Sequence, residues 1–237
     1  MNPGSSNNNY PEKNEVDHLS AKLTGILQIK NKSLSEKFGN YMVSFEPSLF
    51  PMNIHKLYPG YATYILELGS GWGEFALEYA KQNPDSMYIA LDKKKYRIKK
   101  SVKEQFQKKI SNIRWMICNL EWIFHNVFEK KSFDKIIINF PDPWPKTRHQ
   151  KHRFVGPKMI EELLLILKPG GIVEFATDNW PYMEEGLAHF ESSGKWENIH
   201  GKGIILSQIP DRPESFFENL KKSEKENIYI IQLKKLY

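Results

Sequence analysis

From residue 61 to residue 190 the chain alternates short apolar runs with amphipathic stretches. Tyr64-Ile65-Leu66-Glu67-Leu68 is rich in strand formers, and Gly69-Ser70-Gly71-Trp72-Gly73 breaks it. Residues 74–82 then predict a helix, with Phe75, Leu77, Tyr79 and Ala80 as its apolar positions. Residues 87–92 predict a second strand, ending in Asp92. Residues 96–109 predict a basic helix in which Ile98, Val102, Phe106 and Ile110 recur every four residues, one narrow buried stripe. A third strand at 113–117 is closed by Asn119, a short helix follows around 121–127, and 133–139 is a fourth strand. Residues 158–167 predict a helix, stopped and turned by Lys168-Pro169-Gly170-Gly171. A fifth strand at 172–177 runs into Asp178, and a helix follows at 182–190. Residues 204–206 and 228–233 predict closing strands, with a loop and short helix in the charged segment between them.

This alternation predicts an α/β fold: a Rossmann-like, seven-stranded, mostly parallel sheet with helices on both faces. Residues 34–50 show no clear period and, with Pro47, Pro51 and Pro59, predict a loop-rich cover. Residues 1–20 are polar and of low complexity, which predicts a disordered tail. No composition break follows, so 21–237 is expected to be a single domain.

Composition sharpens this only in places. With 40% hydrophobic residues in 237, the chain can bury a sizeable core. The lone Cys118 excludes an internal disulfide and a cysteine-rich zinc site, and its place after an apolar run predicts a small buried side chain. Lys and Arg exceed Asp and Glu by 34 to 28, a net charge of +6 that suits a polyanionic partner. No apolar run approaches the ~18 residues of a membrane span. The N-terminal residues lack the apolar core of a signal peptide, so a cytoplasmic location is expected.

The candidate chemistry sits at the predicted strand ends. Gly69, Gly71 and Gly73 form G-x-G-x-G between a strand and a helix, where backbone can approach a ligand closely. It is not the dinucleotide pattern, because Glu74 follows. Glu67, two residues earlier, would repel a pyrophosphate but suits a cationic ligand. Asp92 ends the second strand, where an acid can hold two ribose hydroxyls. Acid at the first and second strand ends, Asn119 at the third and Asp142 past the fourth resembles class I S-adenosylmethionine-dependent methyltransferases, whose cofactor carries positive sulfonium and amino groups.

After the fourth strand comes Phe140-Pro141-Asp142-Pro143-Trp144-Pro145-Lys146-Thr147-Arg148-His149-Gln150-Lys151-His152-Arg153. Three prolines stop the strand, and the loop joins one carboxylate and one indole to six basic or imidazole groups. This stretch resembles the signature of bacterial tRNA (guanine-N7)-methyltransferases, and the likeness runs in order from about residue 66 to 183. It implies S-adenosyl-L-methionine as cofactor, tRNA as partner, methylation of the variable-loop guanine at position 46, and no metal. Glu67, Gly69, Gly71, Gly73, Asp92, Asn119 and Asp142 would bind the cofactor, with Asp142 also acting at the reacting base. Lys146, Arg148, His149, Lys151, His152, Arg153 and Asp178 would bind tRNA. The family's Thr-Lys-Phe-Glu motif, which follows an Arg-Pro pair, is matched after Arg212-Pro213 by Ser215-Phe216-Phe217-Glu218, which would also bind tRNA, with Phe216 replacing a basic residue. Asp92 stands where glutamate is usual and Asn119 where aspartate is usual. His149 and His152 alone make a metal site one ligand short.

N7 of guanine has a free lone pair, so the transfer needs no general base. A carboxylate such as Asp142 stabilises the cation that develops on the ring. Trp144 either stacks on the base or packs under the loop. The basic helix carries Lys93, Lys94, Lys95, Arg97, Lys99, Lys100 and Lys103, a solvated face by default and an RNA contact as the alternative. Two other functions stay open: methylation of an exocyclic amine in another nucleic acid, and non-catalytic RNA binding. A monomer or a homodimer is expected.

Overall fold

The computed structural model describes residues 31–43, 50–119, 126–144 and 153–237. Five parallel strands come first in the sheet: β1 (Thr63–Leu68), β2 (Ser86–Asp92), β3 (Ile113–Ile117), β4 (Phe133–Asn139) and β5 (Leu167–Thr177). Two antiparallel strands, β6 (Trp196–Asn198) and β7 (Tyr229–Lys235), complete it in the order β3-β2-β1-β4-β5-β7-β6. The helices that follow β1 among the described residues are α1 (Glu74–Gln82), α2 (Lys95–Lys108), α3 (Pro157–Ile166), α4 (Trp180–Ser192) and α5 (Phe216–Ser223). None of the described helices is long and apolar enough to cross a membrane.

The central strands read as unbroken apolar runs because both faces of the sheet are covered. Along β2 the side chains alternate between two cores: Met87, Ile89 and Leu91 join one, Tyr88 and Ala90 the other. The chain reverses direction across the sheet between β1 and β4, which are neighbours. A crevice therefore opens at their carboxyl ends, the place where open α/β sheets take ligands.

Three expectations about elements are corrected. Residues 204–206 form no strand; Leu206 makes only an isolated bridge to Ile230, and Ile204 is exposed. The sixth strand is Trp196–Asn198, whose two outer residues are buried and whose central Glu197 faces out. Gly201 and Gly203, both at positive φ, loop the apolar run out of register. Residues 31–38 are helical rather than loop, because Leu34 and Phe38 pack onto the core beside β3. Lys168-Pro169-Gly170-Gly171 does not separate helix from strand but bulges within β5: Phe133 pairs with Leu167, and Lys135 with Ile172. The expected helix at 121–127 lies mostly outside the described residues, as does the whole tail at 1–20.

Gly73 shows why the turn after β1 needs glycine. Its φ is +84°, and an added Cβ would lie 2.5 Å from Ser101 Oγ and 2.7 Å from Trp115 Cη2. Ser101 is fixed there by donating to the Trp72 carbonyl at 2.9 Å. Gly73→Ala combines left-handed strain with overpacking, and is expected to lower stability by about 2–4 kcal/mol. Urea unfolding checks this; a loss under ~1 kcal/mol would mean that α2 yields at no cost.

Candidate active site

A small cleft opens at the carboxyl ends of β1 and β4. One wall is the glycine turn from Gly69 to Trp72, the floor includes Glu67, Phe75 and Asn139, and the far wall is Ser215, Phe216 and Phe217 at the start of α5. Two segments nearly 150 residues apart in sequence thus meet across one crevice. Both were legible as candidates; that they face each other was not.

Glu67 is 1% exposed, and its Oε1 accepts from Asn139 Nδ2 at 3.2 Å. Its Oε2 has no hydrogen-bond partner among the described residues. The buried Tyr88 hydroxyl stands near enough to couple with Glu67 electrostatically but falls short of hydrogen-bond geometry. Burial is the main cause that pushes the Glu67 carboxyl up to about 7, with Asn139 and Tyr88 opposing it. Ser70 Oγ, on the same cleft wall, is also buried and has no partner among the described residues.

These orphaned atoms suit a ligand that presents hydrogen-bond donors and positive charge. The open space at Gly71, where an added Cβ would meet nothing within 4 Å, leaves backbone free to be approached. These acceptors therefore fit the ammonium and sulfonium groups of S-adenosylmethionine.

The sign of the Glu67 effect on stability follows from its raised value. The folded state keeps this proton up to about pH 7, whereas the unfolded chain loses it near the ordinary 4.5. Stability therefore falls as pH rises from 4.5 through 7 and stays lowered above that. At 1.36 kcal/mol per unit the full difference is about 3 kcal/mol. Glu67→Gln removes this term and should be the more stable protein at pH 8, with the gap closing toward pH 5. Parallel pH profiles of urea midpoints for the two proteins would rule the effect out.

Asp92 is buried at the end of β2, but its oxygens are engaged. Oδ1 accepts from Lys94 N at 2.7 Å, while Oδ2 accepts from Gly71 N at 3.0 Å and meets Arg97 at 3.5 Å. The carboxylate thus braces the glycine turn, with lone pairs left over for a ligand. Asn119 lies half-buried just past β3.

Asp142 is exposed and accepts no hydrogen bond from a described residue. Phe140 and Trp144, on either side of it, have φ of 47° and 44°. Left-handed aromatic residues cost roughly 1 kcal/mol or more each, a strain that clusters at functional loops. Trp144 keeps 40% of its surface exposed.

Several expected tRNA contacts are placed differently. The Arg153 side chain is only 5% exposed: its Nε donates to the Pro143 carbonyl at 2.9 Å, Nη1 bonds Glu185, and the guanidinium lies 5.0 Å from the Tyr182 ring. It clasps the two ends of the Asp142 loop rather than facing solvent. Glu218 is 2% exposed and bonded to Arg212 at 2.5 Å. Ser215 caps α5 by accepting from Glu218 N at 3.1 Å. Both groups therefore build the far wall, while Phe216 and Phe217, 49% and 42% exposed, present it. Asp178 pairs with Lys221 of α5 at 3.3 Å. Lys146, Arg148, His149, Lys151 and His152 lie outside the described residues.

The residue that ties the site together was visible only as a motif marker. The Arg212 side chain, 4% exposed, donates to Glu174 at 2.6 Å, Glu218 at 2.5 Å and Asn139 Oδ1 at 2.6 Å, and its guanidinium lies 4.8 Å from the Phe75 ring. Because Arg only donates, Asn139 must turn its amide nitrogen to Glu67, so Arg212 sets the orientation of the group that holds the cleft acid. Burial pushes Glu174 up, but the charges of Lys135 and Arg212 outweigh it and hold that carboxyl at about 2. An acid inside the otherwise apolar Val173-Phe175 run was the available signal for this network.

A family model described as a putative methyltransferase matches residues 61–231. The tRNA (guanine-N(7)-)-methyltransferase of Leptospira interrogans is 39% identical over 171 residues, covering 72% of this chain and 78% of its own. That of Mycoplasma capricolum is 29% identical over 228 residues, covering 89% of this chain and all of its own. Among solved structures, the 16S rRNA methyltransferase KamB superposes with a TM-score of 0.58 at 15% identity, over 77% of this chain and 92% of its own. An antibiotic-related methyltransferase reaches 0.59 at 16% identity, over 84% and 98%. At such identities these two bear on the fold alone.

Proposed function

The chain belongs to the tRNA (guanine-N7)-methyltransferase family, and from that premise we propose that it methylates N7 of the variable-loop guanine, position 46, of tRNA. The reaction uses S-adenosylmethionine, which supplies an electrophilic methyl group on sulfur. The observation that carries this reading is the buried Glu67, one oxygen of which has no partner among the described residues, set under a cleft at the β1–β4 switch point with the Asp142 loop following β4.

Each residue then has a task. Glu67 and the Gly69–Gly71 backbone hold the cationic end of the cofactor. Asp92 faces the ribose and Asn119 the adenine. Asp142, exposed and without a partner among the described residues, accepts from the donor edge of guanine and offsets the charge that N7 alkylation spreads over the ring. Phe216 and Phe217 give the base an apolar wall. Lys146, Arg148, His149, Lys151 and His152 hold phosphates. Arg153 acts by closing the loop and Glu218 by anchoring α5, which supports a positioning role for both in place of direct RNA contact. Residues 21–237 act as one cytoplasmic domain, as a monomer or homodimer, with 1–20 as a tail.

The test is transfer of labelled methyl to unmodified bulk tRNA, followed by nucleoside analysis. N7-methylguanosine mapped to the variable loop is the expected product. A methylated exocyclic amine, or cofactor binding with no transfer to any tRNA, would each replace this function with another.

A further inference from the structure

Helix α2 carries more positive charge than its own structure can use. Lys95, Lys99 and Lys103 follow one another at intervals of four, so they stand in a row on one face. All three are exposed, and among the described residues none takes part in a salt bridge. Their neighbours behave otherwise: Arg97 pairs with Asp92, Lys100 with Glu74 and Lys108 with Glu104. A row of like charges at this spacing destabilises a helix. The start of the helix makes it worse, since no acid lies in the first turn and Lys93, Lys94 and Lys95 crowd the positive end of the dipole.

Two aromatic rings lie on the same face. Tyr96 is 55% exposed, and Phe106, expected in the buried stripe, is 63% exposed because steps of four residues drift around the helix while Ser101 and Gln105 complete the buried face. Tyr96 meets Trp72 edge to face at 5.5 Å between centroids, and Trp72 lines the candidate cleft. The row therefore begins at the rim of the site and runs about 12 Å away from it, along the first two turns of the helix.

We propose that this face of α2 is a second docking surface for tRNA, in which Lys95, Lys99 and Lys103 neutralise backbone phosphates of the RNA body while the reacting guanine sits in the cleft. The partner is identified by charge complementarity: a row of cations interleaved with exposed rings suits a polyanion that also offers bases to stack on. Sequence-independent contacts of this kind fix the RNA's register without reading its bases. The proposal rests on tRNA being the substrate.

The experiment compares wild type with the triple variants Lys95→Gln/Lys99→Gln/Lys103→Gln and Lys95→Arg/Lys99→Arg/Lys103→Arg, measuring tRNA affinity and KM across a potassium chloride series. The glutamine variant should lose on the order of tenfold in tRNA affinity at low salt, and its log–log salt slope should flatten by about two to three. The arginine variant should keep both wild-type values, and cofactor affinity by calorimetry should be equal in all three proteins. A glutamine variant with wild-type KM and slope overturns the proposal and leaves α2 a solvated face. A wild-type protein that binds tRNA with this slope yet leaves it unmethylated would sustain the surface and overturn the reaction instead.

Discussion

Arg212→Ala is expected to cost about 3 kcal/mol of stability, toward the lower end of the roughly 3–5 kcal/mol for removing one partner of a buried ion pair. The guanidinium lies between two carboxylates that are both almost fully buried, Glu174 and Glu218. Neither is left wholly alone. Lys135 still meets Glu174 at 2.8 Å and Lys222 still meets Glu218 at 3.1 Å, which is why the low end applies. At roughly 2–4 °C per kcal/mol for a chain of this size, the melting temperature should drop by about 10 °C. The functional loss extends further. Asn139 loses the donor at its Oδ1, so nothing holds its amide against Glu67, and the wall made by α5 loses its anchor. Cofactor affinity should therefore fall even at temperatures where the variant is folded. Arg212→Lys restores charge but not the fork that serves three acceptors, and should recover only part of either loss. Melting within 2 °C of wild type would mean that the network is incidental to the fold.

Asp142→Ala should behave in the opposite way. Asp142 is exposed and has no partner among the described residues, so removing its carboxyl leaves no cavity and no orphaned group. Stability should stay within ~0.5 kcal/mol of wild type. Turnover on tRNA should fall by about 10²–10³, the usual cost of deleting one group aimed at charge that develops in the transition state. Asp142→Asn separates the two contributions: it keeps an acceptor for the guanine edge but loses the charge, and should lie between alanine and wild type. Single-turnover methyl transfer with saturating cofactor reads this directly. A full-rate Asp142→Ala enzyme would remove Asp142 from the chemistry and turn attention to Asp178.

Much of the fold was legible because its signals are local. A strand covered on both faces must be apolar throughout, and a helix on that sheet must show a stripe at a period near 3.6. Those constraints placed β1 to β5 and α1 to α4 to within a few residues. The sixth strand escaped because Trp196-Glu197-Asn198 is too short to show a period, while Ile204-Ile205-Leu206 is an apolar run that the glycines at 201 and 203 loop away from the sheet. Residues 31–38 escaped because two apolar anchors in eight residues do not make a stripe; packing against the β3 side of the core makes the helix.

The site divides along the same line. Residue type and distance along the chain marked Glu67, the glycines, Asp92 and Asp142, since each stands at a strand end where chemistry of its kind is expected. Exposure and partnership are properties of the folded chain. Arg153 and Glu218 carry the same charges as their solvent-facing counterparts, and only the tertiary structure shows them buried and paired. Arg212 lies 73 residues from Asn139 and 38 from Glu174 in sequence, so no local pattern could join the three. The sequence by itself determined which groups stand at the carboxyl edge of the sheet, because strand periodicity fixes where each run ends. The tertiary structure decided which of them face the cleft and which brace it. That depends on where a C-terminal helix 150 residues away comes to rest, and on the cost of burying a charge without a partner.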